Sequence, residues 1–166
     1  NQQCRDLIEA LRPELDEHGI DLPIFWGNRN WDPLLPDTLQ EMKEAGVKQA
    51  LAFVTASYSS WSSCRQYREN IADAQEAVGE GAPEVDKIRA FYNHPDFVAA
   101  NAELVQKSLD QIPVERRNKT RIAFTAHSIP NSMSDNCDYV QQLTECCRLV
   151  AEALGVSPDH WRLVYQ

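Results

Sequence analysis

Arg121-Ile-Ala-Phe-Thr-Ala-His127-Ser-Ile-Pro130 is the stretch around which the rest of the 166-residue chain is read. Ile122, Ala123, Phe124 and Ala126 form a short apolar run, the length of one buried strand in a parallel sheet. The run stops at His127 and Ser128, and Pro130 cannot continue a central strand. Ligands of open α/β sheets sit at the carboxyl ends of the strands, so this ending delivers His127 to the working edge. Two readings follow for His127. It is a satisfied histidine in a strand-to-helix turn, or a neutral imidazole that ligates a metal or accepts a proton.

Downstream of that strand, Val140, Leu143, Cys147, Val150 and Leu154 recur at helical spacing over 135–154, with Gly155 as the stop, and 161–165 reads as a closing strand. Upstream, Arg116, Arg117, Lys119 and Arg121 form a basic knot read as a solvated loop. It is preceded by a helix over 95–112 that opens on Pro95. Further back come a strand over 85–91, a helix capped by Ser62-Ser63 and running to Val78, and a strand over 47–54. A helix capped by Asp37 and running to 45, a strand over 22–26 and a helix over 2–18 complete the pattern. Helices and short apolar strands that alternate this strictly predict an α/β fold with a parallel sheet and right-handed crossovers. The long helix and polar loop between three strands and two predict parts of two α/β units rather than one complete domain.

Composition narrows the function. A net charge of −9 leaves no basic surplus for nucleic acid. No apolar run is long enough to span a bilayer. The five cysteines, at 4, 64, 137, 146 and 147, contain no CxxC pair, which argues against a closed zinc site. Reduced thiols and a cytoplasmic location are expected. The chain begins with Asn1 rather than Met and ends on a strand, and both ends are expected to be cuts within a larger protein.

With parallel strands, the loops that follow them collect Gly27-Asn-Arg29-Asn30-Trp31-Asp32-Pro33, Thr55-Ala-Ser-Tyr58-Ser-Ser-Trp61, Tyr92-Asn93-His94-Pro95 and His127-Ser128 at one edge. Aromatic faces, an arginine and hydroxyls suit a large, flat, partly anionic ligand. Trp31 and Trp61 read first as packing residues and His94 as a turn residue. The absence of a Gly-rich phosphate cradle argues against a nucleotide.

Five motifs in order, GNRNWDP (27–33), ASYSSWSSCRQYRE (56–69), FYNHPDF (91–97), FTAHSIP (124–130) and RLVYQ (162–166), resemble the ferrochelatase family, and SSCRQYRE resembles its bacterial branch. That resemblance implies insertion of ferrous iron, a substrate, into a porphyrin (coproporphyrin III or protoporphyrin IX) in heme biosynthesis. It implies a chelatase-like fold of two Rossmann-like lobes about a porphyrin cleft. Residues 1–98 would be part of the first lobe, without its opening strand. Residues 99–119 would be the crossover and 120–166 a truncated part of the second lobe.

By the same resemblance His127 is the catalytic, metal-side histidine. Tyr92 contacts the porphyrin, Arg29, Asn30 and Ser128 line its cleft, and Tyr58 stands where some relatives carry a second metal-facing histidine. Cys64 matches one ligand of the [2Fe-2S] cluster of some members, with the other three positions unmatched here. A catalytic glutamate beyond 162–166 has no counterpart, so residues 1–166 alone are expected to be inactive. The partners implied are porphyrin and ferrous iron, with no nucleic acid and no transmembrane segment; peripheral membrane contact is compatible with this. The alternatives are a non-catalytic tetrapyrrole- or metal-binding module and a cobalt chelatase of corrin biosynthesis.

Overall fold

A computed structural model describes residues 2–166. The chain is α/β, built on two parallel strand pairs, β1 (Gln49–Ala52) with β2 (Glu84–Lys87) and β3 (Ile122–Ala126) with β4 (Trp161–Tyr165). Parallel neighbours need a crossover. The first pair is joined through a π-helical turn (Trp61–Arg65) and α3 (Gln66–Val78), the second through α6 (Asn131–Ser134) and α7 (Tyr139–Ala153). The remaining helices are α1 (Gln2–Glu17), α2 (Leu35–Glu44), α4 (Pro95–Asp110) and the short α5 (Val114–Arg117). Two compact units result, one of residues 1–50 and 70–84, the other of 51–69 and 85–166.

In the first unit, Leu39, Ile71, Ala74 and Pro83 are buried. Gly27 lies against α2, and a Cβ there would come within 2.8 Å of Thr38 Oγ1, so only glycine fits without a shift. Thr38, itself buried, donates to the carbonyls of Trp26 and Leu34 at 3.1 Å each, which ties the loop to the helix. The loop closes on itself through Asn28 N–H to Pro33 O at 2.8 Å and Leu35 N–H to Asn28 O at 3.1 Å. The Asp32–Pro33 peptide within it is cis.

In the second unit, α4 packs on α7 around Val98, Ala102, Cys146 and Val150, with Tyr58, Phe97, Phe124 and Leu149 against them. β3 and β4 run in register from Ile122 opposite Trp161 to Ala126 opposite Tyr165. Phe124 and Trp161 meet edge to face at 5.9 Å.

Several expectations change. The 22–26 segment joins no ladder, and Pro23 explains it, since it lacks the N–H a strand interior must donate. Among the described residues the anticipated sheet is therefore four strands in two pairs, and β1 and β2 are shorter than the runs 47–54 and 85–91. β3 is covered on one face only: Ile122 and Phe124 are half-buried while Ala123 and Thr125 are exposed. Helix starts also move. α2 starts at Leu35 with Leu34 as its cap residue, and Pro36 and Asp37 lie inside its first turn, so Asp37 does not cap it. Ser60 is the cap residue of the turn before α3: its Oγ accepts from the Ser63 N–H at 3.2 Å, and the Ser63 Oγ accepts from the Ser60 N–H at 2.8 Å. The helix expected from 135 starts at Tyr139, because side chains there bind nearby backbone, as Asn136 Nδ2 does to Ser132 O at 2.7 Å.

Candidate active site

His127 follows β3 directly, and its peptide is held from three sides. Gln166 N–H donates to Ala126 O at 3.0 Å, and Ser128 returns two bonds to Gln166 O, from N–H at 2.9 Å and from Oγ at 3.1 Å. The third hold is the Tyr139 hydroxyl, which donates to the carbonyl of His127 at 3.2 Å. The backbone is thus fixed by the ladder and by the start of α7. The imidazole itself is exposed, and both ring nitrogens are without a partner among the described residues. A side chain presented this way is open to a proton or a metal ion arriving from outside.

Behind His127 the aromatic side chains run inward. The Tyr139 ring meets the Tyr58 ring edge to face at 6.4 Å. The Tyr58 hydroxyl points away from the exposed edge and donates to Cys146 Sγ at 3.4 Å, inside the α4–α7 cluster. Burial, with the thiol bond adding to it, pushes the Tyr58 phenol far above the usual tyrosine range. Burial likewise raises Tyr139, so both remain protonated donors at neutral pH. Cys146 and Cys147 are buried thiols, and Cys147 is pushed up to about 12 by burial and by its neighbour.

A second feature of this unit is a pocket of ≈ 340 Å³ lined by Ser59, Cys64, Arg68, Lys87, Arg89, Tyr92 and Gln142, among others. It contains two residues singled out in the sequence, Cys64 and Tyr92. Its floor is Gln142, buried and bound twice to Ser59, by accepting from the Ser59 N–H at 2.7 Å and donating to Oγ at 3.0 Å. Arg29 lies in the other unit, where with Asn28, Asn70 and Asp73 it lines a separate pocket of ≈ 260 Å³. Asn30 belongs to the loop of that unit. Tyr58, Cys64, Tyr92, His127 and Ser128 thus share one unit, while Arg29 and Asn30 belong to the other.

A family model described as Ferrochelatase matches residues 1–166. The chain belongs to the ferrochelatase family. It is 56% identical over 166 residues to a protein named ferrochelatase from Rhodopirellula baltica, covering 100% of this chain and 46% of that one. It is 45% identical over 182 residues to a coproporphyrin III ferrochelatase from Streptomyces coelicolor, covering 100% and 48%. With a coproporphyrin III ferrochelatase from Nocardia farcinica it shares 42% over 174 residues, covering 100% and 49%. The chain spans about half the length of the curated relatives it matches.

For a ferrochelatase-family chain, the residues that hold His127 are as informative as His127 itself, and reading the sequence did not find them. Tyr139 reaches across 12 positions and Gln166 across 38 to the turn at Ser128. Neither separation is a local signal. Gln142 and Cys146, 83 and 88 positions from their partners, were equally silent. Among the described residues no group of three or more His, Cys, Asp or Glu side chains could hold a metal ion. No helix among them is long and apolar enough to cross a membrane.

Proposed function

We propose that the protein inserts ferrous iron into a porphyrin, coproporphyrin III or protoporphyrin IX, as part of heme biosynthesis. Family membership supports this, and the observation that carries it is His127: an exposed imidazole on a peptide bonded to Gln166 and Tyr139 at the end of β3. Metallation replaces two pyrrole N–H protons by one Fe²⁺, so the site must accept protons and receive a metal at the same face of the ring. His127 serves as the proton acceptor or as the residue that hands over iron; both roles use a free ring nitrogen. Fixing the peptide places the imidazole at the strand end while leaving both ring nitrogens open. The raised Tyr58 phenol, bonded to Cys146, stays a neutral donor, so the metal-side chemistry falls to His127.

Tyr92, Arg29, Asn30 and Ser128 belong to the porphyrin-binding set in this reading. Residues 1–98 form part of one lobe, 99–119 the crossover and 120–166 part of the second. A cytoplasmic location, with peripheral membrane contact compatible with it, belongs to the same proposal. Cys64 is carried as a ligand of a [2Fe-2S] cluster, which takes four such ligands. The described residues fit only one corner of it: Cys146 and Cys147 are buried in the α4–α7 core, and no step is assigned to a cluster. The test is zinc or ferrous insertion by wild type and His127→Ala beside porphyrin fluorescence titration. Porphyrin binding without metallation in the wild type would favour a non-catalytic tetrapyrrole-binding module, and preference for cobalt and a corrin precursor would favour a cobalt chelatase.

A further inference from the structure

The pocket below Tyr92 collects positive charge in a chain whose net charge is −9. Arg68, Lys87 and Arg89 all line it, and no carboxylate does. Their positions follow from local structure. Arg68 stands four residues after Cys64, about one helical turn on, and Lys87 and Arg89 are two residues apart at the end of β2. Lys87 Nζ donates to Ile88 O at 3.0 Å and Arg89 Nη1 to Ala90 O at 2.8 Å, and both carbonyls belong to pocket-lining residues. The cationic heads are therefore pinned at the wall. Arg89 also donates to Asn93 Oδ1 at 2.9 Å, again through Nη1, which leaves Nε and Nη2 unspent. None of the three makes an ion pair among the described residues. Arg65 and Arg148, by contrast, are occupied by carboxylates, Arg65 with Glu69 at 2.7 Å and Arg148 with Glu145 and Glu152 at 2.8 Å each. Neutral donors complete the lining. Ser59 Oγ accepts from Gln142, so its own hydrogen is free to turn into the pocket, and Tyr92 adds a phenol.

We propose that this pocket is an oxyanion site that holds a carboxylate or phosphate group. Three cations, two of them pinned and all with unspent N–H donors, are the complement of such a group, and charge-assisted bonds to it are the stronger kind. The volume, ≈ 340 Å³, admits a group of that size with its first waters. The oxyanion comes either from a free small acid or from a carboxylate arm of a tetrapyrrole; only the second source rests on the proposed function.

The experiment titrates inorganic phosphate into the protein by calorimetry, and separately titrates coproporphyrin III and its tetramethyl ester by fluorescence. It compares wild type, Arg68→Gln, Arg89→Gln and Arg12→Gln, the last removing an equal charge from α1. Saturable phosphate binding, weakened about tenfold or more in Arg68→Gln and Arg89→Gln but not in Arg12→Gln, is expected. Phosphate that competes with the porphyrin acid, and a loss on Arg89→Gln confined to the acid, identify the tetrapyrrole arm. Phosphate bound together with porphyrin identifies a free acid. No saturable phosphate binding together with equal acid and ester affinities in all variants overturns the site, as does a loss equal in Arg12→Gln. Circular dichroism of each variant confirms that it is folded. Overturning the site while His127-dependent metallation persists leaves the proposed function standing, so the two failures are distinguishable.

Discussion

The Tyr139 hydroxyl donates to the carbonyl oxygen of His127 at 3.2 Å, while the Tyr139 ring rests edge-on against Tyr58. One side chain at the start of α7 thus joins the exposed end of β3 to the aromatic layer beneath it. Tyr139→Phe keeps the ring and deletes the bond. It should cost about 1 kcal/mol of stability by urea unfolding. If the bond orients His127, kcat for metallation falls with KM for porphyrin unchanged. An unchanged kcat would make Tyr139 purely structural.

His127→Ala should lower metallation by on the order of a hundredfold or more while shifting porphyrin affinity by about 1 kcal/mol or less. In the proposed function, macrocycle affinity is spread over many contacts, whereas proton removal or metal delivery falls on one imidazole. Tyr92→Ala should weaken porphyrin binding more than it slows the bound step. Turnover of His127→Ala within about tenfold of wild type would place the chemistry elsewhere.

Gly27→Ala should destabilise the protein by about 1–3 kcal/mol, since the new methyl meets Thr38 Oγ1 at 2.8 Å and Leu35 Cδ2 at 3.1 Å. Thr38 would have to move off the carbonyls of Trp26 and Leu34, both of which it now satisfies. A thermal melt equal to that of wild type would show that α2 yields without cost.

Val150→Ala removes two methyl groups at a position 2% exposed between α4 and α7. A loss of about 2–3 kcal/mol is expected, from transfer of the methyls and the cavity they leave. Val140→Ala is the internal comparison: Val140 is on the same helix but 42% exposed, and should change stability by less than about 0.5 kcal/mol.

Alkaline pH should unfold the second unit early. The Cys147 thiol is raised to about 12 in the folded protein, and Tyr58 is raised too, both chiefly by burial. A raised folded-state value means the protonated form carries the stability. That stability is complete below the unfolded thiol value of about 8.5 and is lost as pH rises towards 12. Urea midpoints should hold steady from pH 7 to 8.5 and fall by pH 10. Native Cys146 and Cys147 should resist iodoacetamide at pH 8 while the half-buried Cys64 reacts; rapid labelling of all three would contradict this packing.

The chain itself determined the alternation of helices and strands, the ends of β3 and β4, and His127 as the residue at a strand end. These depend on features short enough to be local, such as the apolar run 122–126 ended by His-Ser-Ile-Pro and glycines that stop helices, including Gly79 and Gly155, both at positive φ. Family membership was legible for a related reason, since five motifs kept their order along the sequence. Pro23 was also in plain view, and the apolar residues around it outweighed the missing donor.

What only the tertiary structure decided is which groups share hydrogen bonds and charge across long separations. Tyr58 reads as a loop residue until Cys146, 88 positions away, receives its hydroxyl. Gln142 is an ordinary helix glutamine until it is found buried against Ser59. Arg68, Lys87 and Arg89 are scattered cations until α3 and the end of β2 bring them to one cavity. Periodicity records which face of an element is apolar. The partner a polar side chain finds on another element depends on how the elements pack, and that is a property of the folded chain.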